Sequence, residues 1–263
     1  MIRKILTVIA VVMLVSGIAL FLFPPVSNFI GQKSAEDLSY RFDESVENIR
    51  EGTHQQAFEN GEIDEEGYAI DEKGNRTSDF PFVYDADIKQ LFEDSVLYND
   101  DLKNSQSSKL INENTYSVPS INLENYGIYD GIYGYVYAPS IDMTLPVYLG
   151  ASNDAMRYGA AHLTHTSLPV GGDNSNVVLA AHSGYIGRIF FDNVKHLNIG
   201  DEVCFKTYWT TLRYKVVETK IINEYQTQDI YIKEGEDLLT LITCINRQPG
   251  GPDRFVAICS AVE

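Results

Sequence analysis

Cysteine and positive charge are both scarce in this chain, and each shortage excludes a class of protein. Three cysteines in 263 residues are too few for a disulfide scaffold, and an odd number leaves at least one thiol free. Cys204 and Cys259 could pair, but their strand-like surroundings favour two small buried apolar side chains. Basic side chains number 20 against 37 acidic ones, a net charge of −17 that repels nucleic acid and anionic lipid.

Metal-binding patterns are also missing. None of the five histidines has a zinc-like spacing to a cysteine, so the sequence predicts no metal and no other cofactor. His162 and His165 lie three residues apart, but two histidines without a third ligand do not make a site. We expect both of them to face solvent or to lie in turns.

A long uncharged run stands near the N-terminus. Residues 5–23 carry no charge and follow Arg3 and Lys4. A helix of this length crosses about 30 Å of hydrocarbon and is long for a signal-peptide core. No clear small-x-small cleavage site precedes Pro24, which favours an uncleaved anchor over a removed signal peptide. Because the basic residues precede the span, we expect a single-pass protein of the cell membrane, with the rest of the chain, net charge −19, outside the cell.

The chain divides into three predicted parts. Residues 1–30 form the cytoplasmic tip and anchor, 31–126 a helical N-terminal extension, and 127–263 a catalytic domain. Within the extension, apolar spacing and turn residues predict four segments: an amphipathic helix over 34–60, a loop over 61–80, a helix over 85–103 and an irregular connector over 105–126.

The third part has the pattern of a β protein. Short β-branched and aromatic runs recur between glycine, proline, asparagine and aspartate, which predicts a mostly β domain with a closed or nearly closed barrel. Short helices are predicted at 153–158 and 188–195. Seven strands are predicted, near 132–138, 142–148, 176–182, 202–208, 211–223, 238–243 and 254–261.

Three residues that suit one reaction stand at predicted strand ends. Cys244 follows an apolar run and precedes residues 245–253, whose glycines and prolines predict a loop. His182 ends another apolar strand, and Arg254 opens the last one. A thiol fixed at a strand end beside a loop is both held and reachable. Taken singly, each residue is more often structural, so the hypothesis depends on finding all three.

The motifs around these residues resemble those of sortases. Residues 240–244 read T-L-I-T-C, and Arg254 follows ten residues later, similar to the T-L-x-T-C signature followed by a strand-opening arginine. Residues 180–184, Ala-Ala-His-Ser-Gly, resemble the histidine segment of the family. Further matches run in unbroken order over 127–261 and resemble the pilin-polymerising class C branch, among them Gly134–Val136, Pro139–Asp142, Leu145–Tyr148 and Thr166–Gly172.

The resemblance implies an eight-stranded barrel and a transpeptidase mechanism. Cys244 would cleave an LPxTG-like sorting signal between threonine and glycine and form a thioester. His182 would act as acid and base, and Arg254 would stabilise the oxyanion or hold the substrate backbone. Both cations favour the thiolate of Cys244. Arg247 is a second arginine near the cysteine, but Arg254 has the strand-start position that the family uses.

The family also implies partners, which the sequence leaves open. These are secreted proteins with a sorting signal, and an acceptor amine from a pilin lysine or from cell-wall peptide, in a Gram-positive envelope. The run over 166–172 and the long extension favour pilin assembly. Hydrolysis is a further use of the same site, and a catalytically idle, membrane-tethered binding module is a different class of function.

Two class C features are missing from the sequence. The Asp-Pro-aromatic lid motif is absent from 104–127, and residues 79–82, Asp-Phe-Pro-Phe, are only an altered echo that lies too early. A lid is therefore either absent or formed by 116–126 with different chemistry. No second apolar span follows the barrel, so the expected anchor is the N-terminal one.

Overall fold

The computed structural model describes residues 2–77, 86–110, 116–184, 187, 189–223, 226–248 and 251–262. Three α-helices and eight strands make up the described fold. The helices are α1 (Ile2–Glu59), α2 (Ala86–Lys109) and α3 (Ala155–Tyr158). The strands are β1 (Ile132–Ala138), β2 (Met143–Leu149), β3 (Ala160–His162), β4 (Ser175–Ala180), β5 (Glu202–Lys206), β6 (Thr211–Ile222), β7 (Asp237–Gln248) and β8 (Gly251–Ala261).

The eight strands close into a barrel in the order β1-β2-β3-β4-β7-β8-β6-β5. Neighbours pair antiparallel except for β2 with β3 and β4 with β7, which are parallel. Closure gives each of the eight strands a hydrogen-bonded neighbour on both sides. The barrel is filled by large apolar side chains, among them the fully buried Phe205, Leu179 and Leu239. The predicted mostly β barrel fold with a helical N-terminal region is confirmed.

The eighth strand, β3, is the one that strand patterning missed. It has three residues, too few for a period-2 pattern to show. Gly159 directly precedes β3, at a point where the backbone lies close to β2. A Cβ atom at Gly159 would lie 2.1 Å from the carbonyl oxygen of Pro146. Only a residue without a side chain allows β3 to pair with β2 there.

The loop predicted over 245–253 is wrong. Strands β7 and β8 continue as one long hairpin in which Asn246 lies opposite Asp253 and Arg247 opposite Pro252. Only residues 249–250 of this stretch lie outside the described residues. The glycines and prolines indicated a loop locally, but pairing with the partner strand overrides that preference, with a β-bulge between Cys244 and Asn246 taking up the irregularity.

Helix α1 joins two segments that the sequence analysis treated separately. It runs unbroken through Pro24 and Pro25 and crosses the boundary predicted at 30/31. Residues 5–23 are exposed throughout, and by length and composition this part is apolar enough to cross a membrane. From residue 27 onward one side of the helix lies against the barrel, with Ala35, Ser39 and Phe42 buried. This packing stabilises the helix beyond the two prolines, which remove backbone donors.

Helix α2 extends six residues beyond the predicted end at 103, so the irregular connector predicted from 105 is wrong over its first five residues. The reason is Gln106, which looks like a connector residue but is buried. Its side-chain nitrogen donates to the carbonyl of His165 at 3.0 Å, and its side-chain oxygen accepts from the N–H of Ile232 at 2.8 Å. The rest of the connector holds a 3₁₀ turn at Leu123–Tyr126, and 111–115 lie outside the described residues.

The two short predicted helices had different outcomes. The one predicted at 153–158 is confirmed as α3. The helix predicted over 188–195 is wrong where the chain is described, since only a 3₁₀ turn at Val194–His196 forms there and residue 188 lies outside the described residues. Residues 79–82 also lie outside them.

His162 does not face solvent as expected. It lies in β3, 1% exposed, with Nε2 2.9 Å from the carbonyl oxygen of Ser167 and Nδ1 3.3 Å from the hydroxyl of Ser120. Burial lowers the pKa of His162 to about 4 because the charged form is poorly solvated. His165 does lie in a turn, with a left-handed φ of 66°. Among the described residues no cluster of three or more histidine, cysteine or acidic side chains could hold a metal.

The first prediction concerns Asn99, which joins α2 to the loop between β3 and β4. Its side chain donates to the carbonyl of Leu168 at 2.9 Å and accepts from the N–H of Leu168 at 2.8 Å, all buried. Asn99→Ala leaves both groups of Leu168 unpaired, so we expect the free energy of unfolding to fall by about 2–3 kcal/mol. Asn104→Ala, on the exposed side of the same helix, is the matched control and should leave it unchanged. Urea unfolding followed through the single tryptophan, Trp209, measures both. Equal stability of the two variants would contradict the assignment.

The second prediction concerns pH. The pKa of His162 is lower in the folded protein than its ordinary value of 6.5, so the unfolded state binds more protons below that pH. Its contribution to stability is complete above pH 6.5 and is lost as the pH falls towards 4, by about 3 kcal/mol. His162→Gln cannot be protonated, so its unfolding free energy should change less over this range than that of the parent. The exposed His196→Gln should keep the slope of the parent. Parallel curves for parent and His162→Gln would show that His162 does not titrate on unfolding.

Candidate active site

Cys244 lies within β7, at the point where the strand deforms. It pairs with Arg254 across the β7–β8 ladder, directly before the bulge between Cys244 and Asn246. A bulge bends the strand and re-aims the neighbouring side chain. The thiol is half-buried. Cys244 is therefore held by strand pairing with β8 while remaining partly accessible.

Arg254 contacts the thiol directly. Its Nη1 donates a hydrogen bond to Sγ of Cys244 at 3.0 Å. Residues directly opposite on antiparallel strands place their side chains on the same face, so this contact follows from the β7–β8 register. A guanidinium carries its charge at all physiological pH values. The arrangement places a fixed positive charge and several N–H donors beside the sulfur.

His182 lies two residues beyond the end of the neighbouring strand, β4. In the parallel β4–β7 pair Ala180 lies opposite Ile242, so the register carried forward by two residues brings the His182 backbone level with Cys244. Beyond the strand, the hydroxyl of Thr243 donates to the carbonyl of Ala181 at 2.8 Å. Cys244 and Arg254 therefore lie on adjacent strands, β7 and β8, and His182 lies just beyond the end of β4, on the other side of β7. The structure joins Arg254 to Cys244 by a side-chain contact and relates His182 to Cys244 through the backbone.

A second tie comes from Ser183, which the sequence analysis did not single out. Its hydroxyl donates to the carbonyl oxygen of Cys244. This bond links the residue after the histidine to the cysteine itself. Ser183 thus joins the segment that follows β4 to β7. Its place beside His182 in the sequence was the available signal, because a small hydroxyl residue there can reach the neighbouring strand.

The loop after His182 is closed by a carboxylate. Asp192 accepts from the N–H of Gly184 at 2.6 Å and from the N–H of Phe190 at 3.1 Å. The N–H of Phe191 donates to the carbonyl of His182 at 3.0 Å, and the Phe190 ring lies edge-on to the imidazole at 6.4 Å. Both phenylalanines are buried. The backbone and the ring of His182 thus each contact a buried phenylalanine. Local sequence gives no signal for Asp192, because its partners are backbone groups eight and two residues away.

The other two cysteines are not placed for nucleophilic chemistry. Cys204 and Cys259 are both buried and unpaired, as small apolar strand residues, and no disulfide joins them. Burial raises the pKa of Cys259 to about 12 and also raises that of Cys204. A thiol that stays protonated is a poor nucleophile. Of the three cysteines, only Cys244 combines partial exposure with a cationic partner.

The segment considered as a lid, 116–126, is tied to the β2–β3 side of the barrel. The carbonyl of Tyr116 accepts from the N–H of Ala151 at 2.6 Å and from the hydroxyl of Thr164 at 3.0 Å. These contacts lie beyond the C-terminal end of β2. Strand β2 runs antiparallel to β1 and away from the Cys244 end of β7. Arg247, the second arginine considered, lies opposite Pro252 in the β7–β8 ladder.

Comparison with known proteins shows what this barrel is similar to. Residues 136–262 match the family model described as the sortase domain. Sortase A of Streptococcus agalactiae serotype III is 26% identical over 129 residues, covering 48% of this chain and 51% of that protein. The chain therefore spans about half the length of the curated relatives it matches.

Solved structures give the same answer for the fold. Sortase C1 of GBS pilus island 1 superposes with a TM-score of 0.59 at 26% identity, covering 67% of this chain and 89% of that one. Sortase C-1 from Streptococcus pneumoniae gives 0.58 at 27% identity, covering 68% and 91%. Both matches extend beyond the region of the family model. The sequence motifs, the closed eight-stranded barrel and the matched family model agree: residues 136–262 are similar to the sortase domain, and the barrel resembles solved structures of sortases C1.

Proposed function

We propose that this protein is a membrane-anchored cysteine transpeptidase with Cys244, His182 and Arg254 as its catalytic residues. It cleaves an LPxTG-like sorting signal between threonine and glycine and transfers the acyl group to an amine. The observation that carries the proposal is the 3.0 Å contact between Arg254 Nη1 and Cys244 Sγ, at the level where the His182 backbone follows β4. The match of residues 136–262 to the sortase domain supports the reaction type.

The first half of the reaction forms a thioester. The Cys244 thiolate attacks the threonine carbonyl carbon, and the tetrahedral intermediate collapses as the bond to the glycine nitrogen breaks. His182 in its cationic form gives its proton to that nitrogen, so the leaving peptide departs as a neutral amine. The acyl group stays on sulfur. No external energy source is required, because the thioester keeps the acyl-transfer potential of the peptide bond.

The second half of the reaction returns the enzyme to its starting state. An amine attacks the thioester carbonyl, His182 takes the proton that the amine loses, and the thiolate leaves. Arg254 remains charged throughout and can donate to the sulfur, to the oxyanion or to the substrate backbone. Its fixed position opposite Cys244 means that little reorganisation is needed as charge moves between sulfur and oxygen.

The acceptor that we propose is the side-chain amine of a pilin lysine. It is supported by the resemblance to class C sequences and by a structural neighbour described as a sortase of a pilus island. Cell-wall peptide is the second candidate acceptor, since one curated relative is a sortase A. Water is the third and would make the enzyme a hydrolase. The apolar, exposed stretch of α1 supports anchoring in the cell membrane with the barrel outside.

The third prediction tests the chemistry and the acceptor together. The full chain in detergent should cleave a fluorogenic LPxTG-type peptide and, with a lysine-bearing pilin domain present, yield an amide-linked product that mass spectrometry detects. Cys244→Ala should abolish both reactions. The buried Cys204→Ala should retain both, because that thiol has no access to substrate. Cleavage without the linked product would reject the pilin lysine, and full activity of Cys244→Ala would reject the proposed nucleophile.

The fourth prediction concerns Arg254. Lysine keeps the charge but lacks the planar fork that reaches sulfur and substrate together, so Arg254→Lys should lower kcat/KM by about 10²- to 10³-fold, the cost of losing an oxyanion donor. Arg213→Lys is the matched control, on the exposed surface of β6 where Arg213 pairs only loosely with Glu202 at 3.5 Å. It should keep the parent rate. If the two variants have equal rates, Arg254 has no role in transition-state stabilisation.

A further inference from the structure

A tyrosine-lined groove lies at the end of the barrel that is farther from Cys244. It has a volume of about 350 Å³ and is formed by the turn before β1, the end of β2, helix α3 and residues 119–124. Strand β2 runs away from the Cys244 end of β7, so the groove is separate from the candidate active site. Clefts that bind small ligands have volumes of about 300–1,000 Å³. The groove is therefore large enough for a short stretch of a chain-like ligand.

Tyr129 is the most exposed ring of the groove. Its side chain is 81% exposed, the largest value among the large apolar and aromatic side chains that the structure describes beyond residue 30. It stands between Gly127 and Gly131, whose φ angles of 71° and 73° suit glycine. Asp130 accepts a hydrogen bond from the N–H of Ile132 at 3.0 Å, which fastens the turn to the start of β1. The ring is thus carried to solvent on a defined turn.

Two more tyrosines, Tyr148 and Tyr158, line the same groove. Tyr148 is half-buried on the outer face of β2, between Val147 and Leu149, which belong to the barrel core. Tyr158 ends helix α3 and is 47% exposed. Exposed rings that stand singly are normal, but three rings around one concavity form a contiguous surface of the kind that binds a partner. Each ring offers a flat apolar face and a hydroxyl at its edge.

The side of the groove that α3 forms is attached to β2. The hydroxyl of Ser152 accepts from the N–H of Ala155 at 3.1 Å, and the N–H of Gly159 donates to the carbonyl of Ala155 at 3.2 Å. The close packing of Gly159 on Pro146 then joins the end of α3 to the strand that carries Tyr148. The groove is therefore formed before a ligand arrives, which lowers the entropic cost of binding.

The polar side chains of the groove favour ligands that donate hydrogen bonds. Glu124 and Asp154 contribute two exposed carboxylates, which only accept. Asp154 stands at the N-cap position of α3 but makes no capping hydrogen bond, so the helix does not use its carboxylate. None of the described residues that line the groove is a lysine or an arginine. An anionic ligand would meet only like charge there.

Donor and acceptor chemistry decides between the remaining classes of ligand. A proline-rich peptide can lie on aromatic rings, but proline has no N–H. Such a peptide brings mainly carbonyl acceptors to a groove whose carboxylates also accept. An uncharged pyranose chain fits better, because its C–H bonds form apolar faces that stack on aromatic rings while its hydroxyls donate to carboxylate oxygens.

From this complementarity we infer that the groove is a second binding site, for an uncharged glycan chain of pyranose rings outside the cell. The rings of Tyr129, Tyr148 and Tyr158 stack on the sugar faces, and Glu124 and Asp154 accept hydrogen bonds from the hydroxyls. The inference goes beyond the proposed function and does not depend on its chemistry, since no residue of the candidate active site takes part. A glycan bound at this end leaves the Cys244 end open to a peptide.

Binding is tested without any reaction. The full chain, in a detergent whose headgroup is not a sugar, is titrated with chitotetraose and with cellotetraose, two uncharged pyranose chains. Saturation-transfer NMR with irradiation of the aromatic protons follows the sugar protons. We expect saturable binding with a Kd of about 1 mM or lower, and the strongest transfer at ring C–H protons that stack on tyrosine. Binding of neither sugar overturns the inference.

Variants of two exposed tyrosines locate the bound sugar. Tyr129→Ala removes the most exposed ring and should raise Kd about tenfold, whereas Tyr129→Phe keeps the ring and should stay within about threefold of the parent. Tyr40→Ala is the matched control, since Tyr40 is 68% exposed on α1 and outside the groove, and it should leave Kd unchanged. Urea unfolding followed through Trp209 should give the same midpoint for all three variants. Equal Kd values for Tyr129→Ala and Tyr40→Ala overturn the inference.

A second pair of variants tests the carboxylates. Asp154→Asn keeps a residue that is equally favourable at an N-cap, so α3 is retained, and it should raise Kd about fivefold through loss of a charged acceptor. Asp173→Asn, an exposed aspartate outside the groove, should leave Kd unchanged. An unchanged Kd for Asp154→Asn would contradict the assigned role of the carboxylate.

Competing ligands test the class of partner. A proline-rich peptide with one arginine and an anionic glycerol phosphate chain are each added to the complex with the tighter-binding sugar. We expect neither to displace it at an equal concentration. Displacement by the peptide would make the groove a peptide site, and displacement by the phosphate chain would make it an anion site. Either result overturns the inference.

Discussion

The pairing of β7 with β8 and with β4 is the constraint on which the rest of the site depends. Antiparallel register with β8 puts Arg254 opposite Cys244, and parallel register with β4 brings the His182 backbone to the same level. Neither arrangement needs a special loop. Because a shift of one residue would turn each side chain to the other face of the sheet, the buried residues that alternate with the site also fix its geometry. Leu241 and Ala257, which are fully buried and paired with each other, hold this register from inside the barrel.

Around that pairing, hydrogen bonds between side chains and backbone atoms hold the site in place. Ser183 and Thr243 each join β7 to the chain end of β4, and Asp192 closes the loop beyond. These groups act on backbone atoms, so they can be altered without removing a reacting group. The two buried amides of α2, Asn99 and Gln106, act in the same manner on the loops before β4 and before β7. The N-terminal extension thus supports the two strands that carry the proposed histidine and cysteine.

Much of the fold and the three candidate residues could be predicted from sequence, because strand patterning and the motifs around Cys244 are local signals. What could not be predicted depends on distant partners. Strand β3 is too short to show a period, and its pairing depends on Gly159 fitting against Pro146. Gln106 looked like part of a polar connector, and His162 looked like a surface residue, until partners far along the chain or across the barrel were known. The hairpin beyond Cys244 was missed because its glycines and prolines are local turn signals that pairing overrides.

The central claim is that Cys244 carries the acyl group between two peptides. Its most direct test is the mass of the enzyme itself after brief mixing with an LPxTG-type peptide and rapid acid quench, followed by digestion and mapping of the modified residue. The account predicts a mass increase equal to the substrate up to its threonine, located on Cys244 and lost on addition of an amine. An adduct on any other residue, or cleavage with no adduct at all, would contradict it.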